Sequence, residues 1–119
     1  MMHNAAQTYT RTAKVTVGPR ELEAELLLKA AARLAETSAE GGDKRPYQDA
    51  LHYNRKLWSV FATSVTSDDN PLPTPVKQNV ANLAIFVFNR SLEAERAVSA
   101  SAVAPLISIN RELAAGLRG

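Results

Sequence analysis

Glycine and proline divide this chain into lengths that suit helices and little else. Breaks fall at Gly18-Pro19, Gly41-Gly42, Pro71-Leu72-Pro73-Thr74-Pro75, Pro105 and the glycines from Gly116 to Gly119. Proline fixes φ and lacks a backbone N–H, and glycine is entropically costly inside a helix, so each cluster marks a boundary. Between them, apolar residues return at three- and four-residue spacing, the period of an amphipathic helix. No internal repeat or low-complexity tract interrupts the pattern. The sequence therefore predicts an all-α protein, a small bundle of four to five helices in a single domain over 1–119. A chain of 119 residues buries roughly two-thirds of its unfolded surface, so it needs neither metal nor disulfide to fold.

The segments differ in how much they reveal. Residues 3 to 15 place Ala5, Tyr9 and Ala13 on one helical face; Thr8 to Thr12 also alternates like a strand, but a lone strand would have no partner. The second segment opens with Gly18 as N-cap, Pro19 at the first helical position and Glu21 near the positive helix end. Glu25, Lys29, Arg33 and Glu36 form its polar face, opposite a stripe of Ala24, Leu27, Leu28, Ala31, Leu34 and Ala35 that ends at Gly41-Gly42. From Pro46 to Val65, the residues Tyr47, Leu51, Trp58, Phe61 and Val65 share one narrow arc with Asn54 in its middle. Trp58 is thus expected to be buried.

The segment after the proline turn is unusual. With Thr74 as N-cap and Pro75 following, it carries one apolar face of Val76, Val80, Leu83 and Val87. A second, of Ala81, Ile85, Phe88 and Leu92, lies more than a third of a turn away. A third strip holds Asn79, Asn82, Phe86 and Asn89. A helix apolar on two sides is buried on two sides. This one is expected at the centre of the bundle, unless one face is kept for a partner. In the last segment Leu106, Ile109, Leu113 and Leu117 share a face with Asn110 at its edge. Pro105 is placed in the first turn, and Ser99-Ala100-Ser101-Ala102 is read as a flexible joint.

Composition narrows the function. The net charge is +2 with no run of Lys and Arg, whereas nucleic-acid binders present a clustered basic face. The longest apolar run, Leu83 to Phe88, is far short of the roughly 20 residues that span a bilayer. Met1-Met2-His3-Asn4 lacks the charged and apolar regions of a secretion signal. Cysteine is absent, which fits the reducing cytoplasm.

No residues assemble into an obvious reaction centre. His3 and His52 lie in different segments and do not gather the three or four convergent ligands of a metal site, so no metal or other cofactor is expected. The serines sit within helices, at their ends or in the joint, and none occupies a glycine elbow. Asp68-Asp69 reads as a helix terminator before the proline turn, and Gly41-Gly42 closes a helix where a phosphate loop would open one. The chain is expected to bind rather than catalyse. Its asparagines stand out: Asn54, Asn79, Asn82, Asn89 and Asn110 all lie inside helices, where Asn is a poor former. A buried amide needs partners or costs about 1–3 kcal/mol. Asn54 can bond within the monomer, or an amide strip can set the register of a partner helix.

Several strings in order resemble the flagellar biosynthesis regulator FlaF family of alphaproteobacteria. They are Asn4-Ala5-Ala6-Gln7-Thr8-Tyr9, Leu26 to Ala31, Tyr53-Asn54-Arg55-Lys56-Leu57-Trp58, Asp69-Asn70-Pro71-Leu72-Pro73, Gln78-Asn79-Val80-Ala81-Asn82-Leu83 and Ile109 to Leu117. The resemblance spans nearly the whole chain; departures fall at Thr37 to Lys44 and Glu93 to Ala102. It implies a cytoplasmic factor required for flagellin production, acting after transcription and opposite FlbT-like proteins that restrain flagellin translation. It also implies flagellin as a partner, through terminal segments that are helical in the filament. The alternative is a translational regulator contacting flagellin messenger RNA or an FlbT-like repressor; the dispersed charge disfavours direct RNA binding. The family supplies no catalytic residues. On this reading flagellin lies along the helix after the proline turn. Asn70, Pro71, Leu72 and Pro73 stand at its start, Ile85 and Phe88 give apolar contact, and Asn79 and Asn82 belong to the amide strip, with Asn82 setting register.

Overall fold

The computed structural model describes residues 19–119; the predicted helix over 3 to 15, His3 and the Gly18 cap lie outside the described residues. Four helices follow one another: α1 (Pro19–Thr37), α2 (Lys44–Val65), α3 (Thr74–Ala94) and α4 (Ala100–Arg118). Short connections make successive helices antiparallel neighbours. The ring α1–α2–α3–α4 closes where α4 packs against α1, the most extensive contact in the bundle. The diagonal pair α2/α4 meets through side chains. Among the described residues there is no strand.

Helix α2 folds as its pattern dictates. Asp43 caps it by accepting from the Arg45 N–H at 3.3 Å. Tyr47, Ala50, Leu51, Asn54, Trp58, Phe61 and Val65 turn inward. Trp58 is wholly buried and meets the Phe61 ring edge-on at 5.8 Å. From α1 come Ala24, Leu27, Ala30, Ala31 and Leu34, all buried. Leu28 is half-buried and Ala35 exposed, so the α1 stripe is narrower than the sequence reading and shifted toward Ala30. Arg33 lies over the Tyr53 ring at 4.4 Å, joining α1 to α2 outside the core.

Several boundaries differ from the sequence reading: α2 begins at Lys44, two residues before Pro46, and α4 continues through Gly116 to Arg118. Helix α1 stops at Thr37, before the glycines. Gly41 takes φ +79 in the following turn, and a Cβ on Gly42 would stand 2.8 Å from the Ala39 carbonyl oxygen. Helix α3 starts one residue early: Pro73 is the N-cap, its carbonyl accepting from the Val76 and Lys77 N–H groups. Helix α4 starts at Ala100, and Ser99 caps it by accepting from the Ala102 N–H at 3.2 Å. The expected flexible joint is thus a capped first turn, and Pro105 lies one turn further in. The carbonyl it leaves unbonded belongs to exposed Ser101, where water can satisfy it.

The larger correction concerns α3. It is not the central helix: it packs on α2 and only thinly on α4, whereas α1 and α4 form the heavy side of the bundle. Its C-terminal end is held firmly. The Tyr47 hydroxyl donates to the Ala94 carbonyl at 2.7 Å, and Arg55 pairs with Glu95. Burial pushes the Tyr47 phenol pKa up, against the opposing pull of the Ser99 backbone N–H. At the other end of the ring Arg118 pairs with Glu21 at 2.7 Å, tying α4 to the start of α1.

Candidate partner-binding surface

The asparagines separate into two populations. Asn54 and Asn110 are fully buried and link the diagonal helices α2 and α4. Trp58 Nε1 donates to Asn110 Oδ1 at 2.9 Å, and Asn110 Nδ2 donates to Asn54 Oδ1 at 2.8 Å and to the Leu27 carbonyl at 3.2 Å. The indole can only donate, so it fixes Asn110 with its oxygen toward Trp58 and obliges Asn54 to present oxygen. Asn54 Nδ2 is left buried without a partner. Asn110 therefore sits in the middle of the α4 core stripe with Val103, Leu106 and Ala114, not at its edge.

Asn79, Asn82 and Asn89 stay in solvent on α3. The two apolar faces of this helix differ: on the first, Val80 and Val87 are buried and Leu83 half-buried, while Val76 in the first turn is 42% exposed. Val80, Ala84, Val87, Ser91 and Ala94 point into the bundle. On the other face Ile85 is 60% exposed and Leu92 59%, while Ala81 and Phe88 are half-buried along the flank. Phe86 is 43% exposed, with the Arg90 guanidinium 5.9 Å from its ring centre. Scattered exposed apolar residues are ordinary, but Ile85 and Leu92 on one face with Phe86 on the strip beside it form a feature that a peripheral helix does not require.

The eight residues singled out from sequence therefore occupy two places. Asn82 and Ile85 share the outward surface of α3, with Phe88 and Asn79 on its flanks. The turn before α3 faces elsewhere. Asn70 organises it, accepting from the Leu72 N–H at 2.9 Å and donating to Ser64 Oγ at 3.1 Å, so its amide is already engaged. Leu72 is half-buried, and Pro71 and Pro73 are exposed. Asn70 and Leu72 line a small apolar cleft of about 30 Å³ at the bundle end, with Phe61, Val80, Leu113 and Glu23. Burial pushes the Glu23 carboxyl pKa up, opposed by the positive charge of Arg20. Sequence reasoning left Phe86, Asn89 and Leu92 out of the candidate site. The signal was present: Leu92 continues the Ile85 face, and Phe86 and Asn89 share the strip of Asn82.

Among the described residues no helix is long and apolar enough to cross a membrane, and no three His, Cys, Asp or Glu side chains gather as a metal site. Asp68 and Asp69 are exposed in the turn after α2. What the structure offers is a four-helix bundle with exposed apolar side chains along the outward side of α3. The family model described as flagellar protein FlaF matches residues 5–117. The chain belongs to the FlaF family of flagellar proteins. No curated protein and no solved structure matches it significantly.

Proposed function

We propose that this FlaF-family protein binds flagellin in the cytoplasm as a chaperone-like partner and through that binding supports flagellin production after transcription. It acts by association and not by catalysis. The observation that carries the reading is the outward face of α3, where Ile85, Phe86 and Leu92 are exposed on a helix already anchored by its opposite face. Flagellin terminal segments that are helical only in the filament expose apolar stripes beforehand. A helix face of this kind masks such a stripe by side-by-side packing. Ordering the segment costs free energy, so the complex is of moderate affinity and releasable, as an exported substrate requires.

The test is calorimetry of the full chain with monomeric flagellin from the same genome. Saturable binding that weakens in Ile85→Ser while melting is unchanged supports the proposal. No binding to flagellin, with binding instead to an FlbT-like protein or to flagellin messenger RNA, replaces it with the regulatory alternative.

A further inference from the structure

The outward surface of α3 has an internal order that its apolar content alone does not require. Gln78, Asn82, Ile85, Asn89 and Leu92 follow one another at spacings of four, three, four and three. That is the seam repeat of a coiled coil. The row lies about 160° around the helix from the buried row of Val80, Ala84, Val87, Ser91 and Ala94, at roughly 100° per residue. All five seam residues are exposed. Helix α3 thus carries two such seams, one filled by the bundle and one empty.

The empty seam has a particular chemistry. From Gln78 to Asn89 twelve consecutive residues carry no charge. The positions beside a coiled-coil seam normally hold Glu and Lys, which choose the partner by ion pairing. Here they are Asn79, Ala81, Phe86 and Phe88, and the first charge beside the seam is Glu93, at its C-terminal end. A partner helix with charges over Gln78 to Asn89 would lose their hydration without a counter-charge on that stretch; the Arg90 guanidinium beyond it lies over the Phe86 ring at 5.9 Å and pairs with Glu93 at 3.5 Å. The two seam asparagines, seven residues apart, would be left unsatisfied under a purely aliphatic partner.

We propose that the outward seam of α3 receives one uncharged, two-heptad amphipathic helix by coiled-coil packing. That helix carries aliphatic residues against Ile85 and Leu92 and an amide or hydroxyl opposite Asn82 or Asn89. This rests on the flagellin reading above and specifies which kind of flagellin segment docks: one whose contact face is neutral and amide-bearing, with a basic residue tolerated only beside Glu93. A second copy of α3 fits less well. Three of its five seam positions are amides, and a seam of about 21 Å is short for the roughly 1,200 Å² or more that a stable interface buries.

The experiment uses the full chain with two probes. One is monomeric flagellin from the same genome. The other is a set of two-heptad helical peptides with a Leu/Ile seam that differ at one central seam position, which is Asn, Leu or Lys. Binding is expected to change less than about threefold between about 50 and 500 mM NaCl, because no charge pairs are formed. Asn82→Lys and Asn89→Lys are expected to weaken flagellin at least about 30-fold, the effect of an unpaired interfacial charge. Both residues are exposed, so melting is expected to stay within about 2 °C of the parent. The Asn peptide is expected to bind and the Lys peptide to fail. In Asn82→Leu the preference for the Asn over the Leu peptide is expected to disappear.

Flagellin bound equally by both Lys variants overturns the seam and leaves the proposed function standing. So does binding that falls steeply with salt, and so does a stable homodimer disrupted by the same variants. If the parent chain does not bind flagellin, the proposed function fails; Asn82-dependent capture of the Asn peptide then still supports the seam.

Discussion

Replacing the same side chain at the two ends of the buried amide pair should have very different effects. Asn110→Ala and Asn54→Ala remove identical atoms from fully buried sites and gain the same helix propensity. Their cavity and propensity terms therefore largely cancel in the difference. The hydrogen bonds do not cancel. Asn110 joins three groups, and its loss strands Trp58 Nε1 and Asn54 Oδ1 inside the core. Each stranded group costs about 1–3 kcal/mol, or about 2–6 kcal/mol together. Asn54 makes one bond and already carries an unpaired Nδ2. Its removal loses that bond but also abolishes the orphan, and Asn110 Nδ2 keeps the Leu27 carbonyl. Asn110→Ala is expected to be the more destabilising by at least about 2 kcal/mol, a sizeable share of the roughly 5–15 kcal/mol that holds a domain together. Urea titrations followed by circular dichroism and by the fluorescence of Trp58, the only tryptophan, read both variants. Equal costs, or a larger cost at Asn54, would refute the hub arrangement.

Other outcomes follow from single features. Trp58→Ala is expected to cost about 3–5 kcal/mol, seen as a loss of most of the urea midpoint. Tyr47→Phe gives up the bond to Ala94 and is expected to cost about 1 kcal/mol at neutral pH. Because the folded phenol pKa is raised, its stabilisation is complete below the ordinary tyrosine value and is lost as pH rises through the folded value. The phenylalanine variant should therefore show a shallower alkaline fall in melting temperature. The raised Glu23 carboxyl works the same way in acid: its contribution is complete below the ordinary glutamate value of 4.5 and is lost as pH rises through the folded value. Glu23→Gln is expected to gain melting temperature at pH 7 relative to the parent while matching it near pH 3. Ser91→Ala removes a buried hydroxyl that has no partner, so it is expected to be neutral or stabilising by about 1 kcal/mol in the same urea assay.

The sequence was most informative where one arc of a helix was apolar and the rest was not. In α2 the stripe from Tyr47 to Val65 predicted the core apart from Ala50, including Asn54 and the burial of Trp58. In α3 the two apolar faces were both visible, but periodicity carries no information about which one another helix will cover. That depended on α1 and α4 claiming each other, a long-range pairing that no local pattern encodes. The asparagines were partly legible: Asn54 stood in the middle of its arc, but Asn110 was read at the edge of its stripe, and only the meeting of α2 with α4 makes it a core residue. At Pro105 a local rule was applied too strictly, since a proline one turn inside a helix is tolerated when the freed carbonyl faces water. Asn70 and Leu72 were noticed as a proline-turn motif, yet their part in the bundle-end cleft required the folded chain.

The heavy contact between α1 and α4 has a consequence for how the protein is made. The ring closes between the first and last of the described helices, so the apolar stripe of Ala24, Leu27, Ala31 and Leu34 emerges from the ribosome well before its main cover. About 80 residues separate Thr37 from Arg118, which at 5–20 residues per second is roughly 4–16 s of synthesis. Until α4 emerges, α1 can pair with α2 but lacks its most extensive contact among the described helices. Nascent chains halted before α4 would leave this alanine-rich face without its main cover and open to proteolysis.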